Sequence, residues 1–279
     1  MQKTLFIVTI VTAFMSCTKS SSKISDVSQD SLTLTSITGD SADFSFVYTD
    51  GIVTDVLARH DGGFLRSDDS FYVPYAHLSY DSANYIKATS MEEENPNYDY
   101  TEYFLNEDKS PKKIIIHFRD NGAIDIVDFF YNPQTNLLDS VHDTNDGINF
   151  TSAVVQYDGA DVSTITITYP YFFNGVKPQT LTQYTYDKSQ PNVFKTLDPL
   201  WYVYKEPFGT YNYQTSWAQY NFEMYAKLFS QNTFTQIRSD YYVHNDWDTL
   251  QYTLNSAGKL QQEWYTSNPN YIRHYNYGN

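Results

Sequence analysis

The chain has 279 residues, which is enough to bury a sizeable core, and 18% of them are aromatic, which argues against disorder. Its 18 lysines and arginines stand against 33 aspartates and glutamates, for a net charge of −15. A phosphate backbone needs a basic surface, and the body of this chain has no basic cluster. Composition therefore excludes nucleic acid as an expected partner.

The N-terminal residues have the pattern of an export signal. Lys3 precedes an apolar run from Leu5 to Met15, which is too short to cross a membrane and ends at Ser16-Cys17. The position of Cys17, the only cysteine, resembles that in a lipoprotein signal peptide, whose cysteine is acylated and becomes the new N-terminus. We expect residues 1–16 to be removed and Cys17 to be lipidated. A plain signal peptide with an incidental cysteine is the alternative.

The residues after Cys17 form a spacer and then a folded body. The stretch 17–30 is rich in serine and has little to bury, so it predicts a flexible tether. No linker divides the remainder, which predicts a single domain at 31–279. Without a second cysteine there is no disulfide, so stability must come from burial and strand pairing.

Alternation of apolar and polar residues with a period of two dominates this body. Phe44 and Phe46, for example, alternate with polar or smaller neighbours, as in strands that bury one face. Asn121-Gly122 separates two such runs, which is a strong hairpin signal. Further hairpins are predicted around Gly159 and around residues 255–258. The pattern predicts an all-β fold, a large antiparallel β-meander forming a curved sheet or an open barrel.

The last of these three hairpins also predicts which side chains are buried. Strict alternation across the turn at 255–258 places Trp264 on the core side. Gln261 and Glu263 are then predicted to face outward.

Several of the hairpins share a tyrosine-rich pattern. The segments VVQYDGADVSTI (154–165), QYTLNSAGKL (251–260) and YIRHYNY (271–277) resemble the tyrosine-aspartate hairpin pattern of many Bacteroidota lipoproteins of unknown function. The likeness extends over about 114–279. It implies a lipid-anchored outer-membrane protein, on either the periplasmic or the surface side, and it brings no catalytic residues.

One stripe of helical spacing interrupts the strands. Trp217, Tyr220 and Met224 follow at steps of three and four in a segment that starts at Ser216, a suitable N-cap, and ends at Phe229. The spacing predicts one short amphipathic helix at 216–229. We place it as a lid over the open face or end of the sheet, with a partner-binding groove as the alternative.

The sequence offers no metal or cofactor site. The stretch 142–147 is rich in oxygen ligands, but its spacing is one residue short of a calcium loop and a hairpin turn explains it. The six histidines are scattered, without the spacing of a zinc site. We expect neither a metal nor a cofactor.

Catalytic motifs are missing as well. The sequence has no Gly-x-Ser-x-Gly elbow, phosphate-binding loop or dinucleotide motif. Carboxylate pairs such as Asp68-Asp69, or Asp246 with Asp248, could flank a glycosidic bond, but among 33 acidic residues such pairs carry little information. A non-catalytic binding or structural lipoprotein is therefore favoured over the alternative, a glycan-processing hydrolase.

The aromatic excess is the best guide to a binding site. Trp201, Tyr204, Tyr211 and Tyr213 lie in a stretch, 201–217, where the strand pattern stops. Rigid aromatic rings with a polar group suit sugar, lipid or peptide surfaces. We predict that a glycan or protein partner binds at these four residues without a metal. The alternative is that the same rings pack the end of the sheet against the predicted helix.

Overall fold

The alternating segments are strands in the structure, a computed structural model that describes residues 32–39, 42–60, 72–91, 98–119, 122–145, 149–170, 175–205, 207–208, 222–240 and 246–278. The described residues form sixteen strands: β1 (Thr33–Thr38), β2 (Ala42–Thr49), β3 (Ile52–His60), β4 (Val73–Ser82), β5 (Tyr85–Ser90), β6 (Tyr98–Leu105), β7 (Pro111–Phe118), β8 (Ile124–Tyr131), β9 (Leu138–Asn145), β10 (Asn149–Asp158), β11 (Asp161–Thr168), β12 (Gln179–Pro191), β13 (Asn232–Ser239), β14 (Asp248–Leu254), β15 (Leu260–Tyr265) and β16 (Arg273–Gly278). They also form a 3-10 turn (Val193–Thr196) and two α-helices, α1 (Trp201–Lys205) and α2 (Phe222–Phe229).

The strands follow one another around a closed antiparallel barrel. The barrel closes where β1 pairs with β16, with Leu34 opposite Tyr277 and Ile37 opposite Tyr275. This corrects the prediction of a curved sheet or an open barrel. An open sheet would leave two rows of unpaired backbone groups, whereas closure pairs them. Period-two patterns specify strands but carry no signal for the pairing of the first strand with the last.

The three predicted hairpins are confirmed. Strands β7 and β8 pair on either side of Asn121-Gly122, with His117 opposite Ile124. Strands β10 and β11 pair across Gly159, and β14 and β15 pair across residues 255–259.

The barrel has two different ends. Connections that follow even-numbered strands lie at one end, here called the turn end, and include the two-residue turns 50–51, 83–84 and 159–160. At the first of these, both Asp50 and Gly51 have positive φ, as a type I′ turn requires. Odd-numbered strands end at the opposite side of the barrel, here called the loop end, where the described residues include 72, 169–170, 175–178, 246–247 and 266–272. The chain enters the barrel at Thr33 and leaves it at Gly278, both at the turn end.

The two faces of the barrel wall differ in polarity. On β7, Ile114 and Ile116 are fully buried, whereas Lys113 and His117 on the other face are partly exposed. The same contrast recurs around the wall, because successive side chains of a strand point to opposite faces. The buried face points inward, since it packs on the chain segment that the barrel encloses.

That enclosed segment, here called the inner segment, consists of the described parts of the connection from β12 to β13 (192–205, 207–208 and 222–231). It begins at the turn end, where Asn192 follows β12. Farther along, the ring of Phe208 lies 5.1 Å from that of Tyr75 and 5.4 Å from that of Tyr98, at the start of β4 and β6 near the loop end. In between, α1 contacts β2, and α2 contacts β11 and β13. A segment that reaches both ends and touches strands all round the wall lies inside the barrel.

A recurring tyrosine contact strengthens the turn end. Within the described residues, five tyrosines on even-numbered strands donate their hydroxyl protons to backbone carbonyl oxygens of the preceding odd-numbered strand, over 2.6–2.8 Å. The pairs are Tyr48 with Leu34, Tyr80 with Val53, Tyr131 with Pro111, Tyr186 with Val162, and Tyr277 with Leu260. Burial raises the pKa of Tyr80 to about 12, so this hydroxyl remains a donor at neutral pH.

In the β14–β15 hairpin, the predicted orientations of Trp264 and Glu263 are wrong, whereas Gln261 is exposed as predicted. Glu263 is 2% exposed and lies on the inner face, whereas Trp264 stands beside Gln251 on the outer face. The register shifts by one residue near the turn, where Thr253 pairs with Gln262 but Leu254 pairs with Leu260. A one-residue shift moves every following side chain to the other face of the sheet.

Gly39 offers a test of how tightly the loop end is packed. Its φ is +88°, and an added Cβ would overlap the backbone carbonyl oxygen of Ile272. Gly51 has a similar φ of +81° but open space around it. We expect Gly51→Ala to lower the free energy of unfolding by about 1 kcal/mol, from backbone strain alone. Gly39→Ala is expected to lower it by about 3 kcal/mol, because backbone must also move. Chemical denaturation checks this, and equal losses would show that the Ile272 contact is absent.

Candidate functional site

Helix α1 lies in the middle of the inner segment and buries an unbroken run of four residues, Trp201 to Tyr204. The ring of Tyr204 packs 5.5 Å from that of Phe46 on β2. The hydroxyl of Tyr202 donates to the carbonyl oxygen of Lys109 in the β6–β7 turn, over 3.0 Å. The ring of Trp201 stacks on Phe194 at 6.3 Å. Side chains of this one helix therefore reach different parts of the barrel.

The predicted binding residues fall into two groups. Trp201 and Tyr204 are buried in α1, which agrees with the packing role that the sequence left open beside ligand binding. Tyr211 and Tyr213 lie outside the described residues, as does Cys17. The structure thus brings two of the four aromatic residues together, and their role in binding a ligand stays a prediction.

The predicted helix at 216–229 is helical in its described part, Phe222–Phe229. It packs inside the barrel rather than over an open face or end of a sheet. Asn192 holds its C-terminal end, since the side-chain amide donates to the carbonyl oxygens of Lys227 and Ser230 over 3.0 and 2.9 Å. Ser230 in turn bonds to the hydroxyl of Tyr186 on β12, at 2.8 Å.

A buried charge cluster joins α2 to the wall. One carboxylate oxygen of Glu263, Oε1, accepts from Lys227 Nζ over 2.9 Å, from the Tyr275 hydroxyl over 2.9 Å, and from the Arg273 guanidinium. Lys227 Nζ also lies 3.2 Å from Glu223, one turn earlier in α2, and 4.7 Å from the ring centre of Phe194. The side chains of Lys227 and Glu263 are 1% and 2% exposed, so the pair is almost free of solvent screening.

The cluster changes the acidity of its members. Burial by itself raises the pKa of Glu263, but the positive charges of Lys227 and Arg273 outweigh it and hold that pKa at about 2. Burial also raises the pKa of Tyr275, which keeps its hydroxyl a donor to Glu263. Glu263 is therefore charged throughout the neutral range, and Tyr275 is in the protonated state that its bond to Glu263 requires.

A pocket of about 290 Å³ opens beside this cluster at the turn end. Its apolar lining comes from Phe194, Leu197, Trp201 and Leu228 of the inner segment. Its polar lining consists of residues 108–110 of the β6–β7 turn, Lys195 and the buried Lys227. A mainly apolar lining with a few polar groups suits a small amphipathic ligand.

Sequence reasoning missed Lys227, Glu263 and Arg273. Lys227 lies within the predicted helix, but helical spacing alone does not reveal that its charged end is buried. The sequence prediction placed Glu263 on the outer face because it assumed a strand register that differs by one residue from the observed one. Asn192 carried a weak signal, because an asparagine between a strand and a short helix is a frequent cap.

The other candidate chemistries find little support in the described part of the chain. It contains no group of three or more histidine, cysteine or acidic side chains that could hold a metal ion. Asp248 is occupied in bracing the loop end, where its carboxylate accepts from the backbone N–H of Ser267 over 3.0 Å and from Thr266 Oγ1 over 3.2 Å. Asp68-Asp69 lies outside the described residues.

Solved structures of the same architecture are known. A porin-like protein from Bacteroides uniformis superposes with a TM-score of 0.53 at 13% sequence identity, over 88% of this chain and 98% of the other. A porin-like protein from Bacteroides vulgatus superposes with a TM-score of 0.50 at 10% identity, over 88% and 99% of the two chains. At such low identity the likeness shows a shared fold.

No protein-family model and no curated protein matches the sequence. Among the described residues, no helix is both long enough and apolar enough to traverse a bilayer.

The charge cluster predicts a specific response to acid. The pKa of Glu263 is about 2 in the folded chain and 4.5 in its ordinary state, so its stabilising effect is complete above pH 4.5 and disappears as the pH falls towards 2. We expect Glu263→Gln to lower the free energy of unfolding by about 3 kcal/mol at pH 7, and the deficit to shrink below pH 4.5. Urea denaturation at a series of pH values measures this. Glu107→Gln, the same change on an exposed side chain, is the control, and a deficit constant with pH would contradict the assignment.

Proposed function

We propose that this protein is a lipid-anchored outer-membrane protein that binds a ligand or partner without catalysis, and that its barrel stands in water beside the bilayer. The polarity of the barrel wall is the observation that carries the proposal. A barrel that crosses a membrane turns an apolar band outward and a polar surface inward. Here the inward face is mainly apolar, and charged side chains stand on the outward face.

Charged pairs stand on the outer face of the wall. Two ion pairs of the described residues link outward-facing side chains on neighbouring strands: Asp43 with Arg59, and Lys113 with Asp128. Two carboxylates on the same face, Asp55 and Glu102, contact the imidazoles of His77 and His117. An arginine or lysine facing lipid at the middle of a bilayer costs about 2–4 kcal/mol. In water the partly exposed Arg59, Lys113 and Asp128 are solvated, so they favour a barrel surrounded by solvent.

The interior favours the same conclusion. A transmembrane channel needs a polar lumen, whereas the inward side chains here are mainly apolar and pack on the inner segment. The path along the barrel axis is crossed by α1 and by Phe208. The neighbours are described as porin-like, but this interior is not arranged to conduct ions.

The anchor and the location rest on the sequence and on the fold. Cys17 at the end of an apolar signal supports a lipid anchor, and residues 18–30 supply a tether to the barrel. The description of two structural neighbours as porin-like proteins from Bacteroides supports an outer-membrane location. Lipid attached to a tether would hold a water-soluble barrel at the membrane.

The pocket at the turn end supports binding rather than catalysis. Lys227 is held by Glu223 and Glu263, and Lys109 by the carbonyl oxygen of Ala83 and by Asn84. Polar groups engaged in this way can orient a ligand but are poorly placed to exchange protons with it. No observation favours the hydrolase alternative.

Cys17→Ser tests the anchor. Without the sulfur atom no lipid can be attached, so we expect the variant to move from the membrane fraction to the soluble fraction. The measurement is membrane fractionation followed by immunoblotting, with Ser20→Ala as a nearby control that leaves the signal and the cysteine intact. Continued membrane association of Cys17→Ser would contradict the anchor.

A conductance measurement tests whether the barrel forms a channel. We expect the purified protein to produce no current steps in a planar lipid bilayer, because its interior is filled and its outer wall is charged. An established porin, added to the same bilayer afterwards, shows that channels can be detected. Reproducible single-channel steps from this protein would contradict a water-facing barrel.

A further inference from the structure

The loop end of the barrel exposes several large apolar side chains. Of eleven exposed large hydrophobic residues in the described part of the chain, six lie at this end: Tyr72, Met91, Ile124, Val176, Trp247 and Tyr271. Two of these six residues, the aromatic Trp247 and Tyr271, lie in neighbouring connections at the loop end. Their side chains are 41% and 46% exposed. Exposed aromatic residues on adjacent loops indicate a contact surface.

The two loops that carry these rings are braced against each other. Asp248, next to Trp247, accepts hydrogen bonds from the backbone N–H and the hydroxyl of Ser267 and from the hydroxyl of Thr266. The backbone of Thr266 donates to the carbonyl oxygen of Thr249 over 3.0 Å. The described end of the connection before β14 and the connection after β15 are therefore held together, although two strands separate them in the sequence.

The loop that bears Tyr271 is fixed on its other side as well. Asn268 N–H donates to the carbonyl oxygen of Tyr265, and Tyr271 N–H to that of Asn268, which makes two successive turns. Gly39 lies so close to the carbonyl oxygen of Ile272 that a Cβ on residue 39 would overlap that oxygen. The backbone at Tyr271 is thus held between two contacts, and a loop that is ordered before binding loses little entropy when a ligand arrives.

The polar groups around the rings indicate the chemistry of the ligand. Residues 246–247 and 266–271 are exposed, and they include the hydroxyl of Thr266 and the amides of Asn268 and Asn270 but no lysine or arginine. Arg273, which follows, is engaged with Glu263 inside the barrel. Two acids, Asp246 and Asp248, stand beside Trp247, against one cation, Arg238, on the neighbouring strand β13, so this surface has no excess of positive charge for an anionic ligand or an anionic lipid headgroup.

From these observations we infer that Trp247 and Tyr271 form a binding platform for a neutral carbohydrate at the loop end. The apolar face of a sugar ring stacks on an aromatic ring, while its hydroxyl groups bond to the nearby amide and hydroxyl groups. This inference rests on the proposed binding role and adds a ligand class to it. It does not depend on the lipid anchor. It is separate from the pocket, which lies at the turn end.

The test is a titration of the full-length protein, purified in detergent, with neutral oligosaccharides: maltoheptaose, cellohexaose, xylohexaose and mannohexaose. Isothermal calorimetry gives the affinity and tryptophan fluorescence reports the contact. We expect at least one of these sugars to bind, and Trp247→Ala and Tyr271→Ala each to weaken that binding by about tenfold or more. Trp247→Phe, which keeps an aromatic face, is expected to lose less.

Phe130→Ala is the matched control, because Phe130 is 47% exposed on the outer wall away from the loop end. We expect it to bind the sugar as the wild type does. Thermal denaturation of each variant shows that an affinity loss does not come from unfolding. The inference is overturned if none of the four sugars binds, if both Ala variants bind as the wild type does, or if polygalacturonate, an acidic sugar polymer, binds more tightly than the neutral sugars. The anchor and conductance experiments are unaffected by these outcomes.

Discussion

An apolar inner wall cannot be left facing water, and this constraint governs the architecture. A closed barrel of sixteen strands is wide enough for an aqueous channel when its lumen is polar. Here the inward faces are apolar, and each Å² left wet would cost about 25 cal/mol. The chain meets the constraint by turning the inner segment into the barrel, so that α1, Phe208 and α2 cover the wall from one end to the other. The outer face, in turn, carries charged pairs.

The inner segment is fastened by polar contacts as well as by apolar packing. Burying Lys227 and Glu263 is expensive in itself, and excellent geometry with further donors is needed to offset the lost hydration. Arg273 and Tyr275 supply those donors from the last strand of the barrel. The helix inside the barrel is therefore bound to β15 and β16 by bonds that form only when the lysine lies at this point of the wall. Such directional contacts specify one position, which apolar packing alone does not.

Local signals predicted much of the wall, and non-local contacts account for the rest. Period-two alternation and the Asn121-Gly122 turn identified the hairpins correctly, because strand faces and tight turns depend on adjacent residues. The inward orientation of Glu263 depends on a bulge in the pairing of β14 with β15, and no neighbouring residue in the sequence signals that bulge. Trp201 and Tyr204 were correctly singled out as an interruption of the strands, but only the fold reveals that a long connection can enter the barrel. The platform at Trp247 and Tyr271 was beyond reach because it joins two loops that sequence analysis treats separately.

The pairing of β1 with β16 makes closure of the barrel depend on both ends of the wall. Thr35 bonds to Asn276, 241 positions later, so the first strand has no partner on its outer edge until the last strand is in place. Until Arg273–Gly278 exists, β1 and the newest strand are both open edges, which are templates for joining another chain. Contacts so distant in sequence also form slowly. A chain that lacks β16 therefore exposes two open edges and is prone to aggregate rather than to form a slightly smaller barrel.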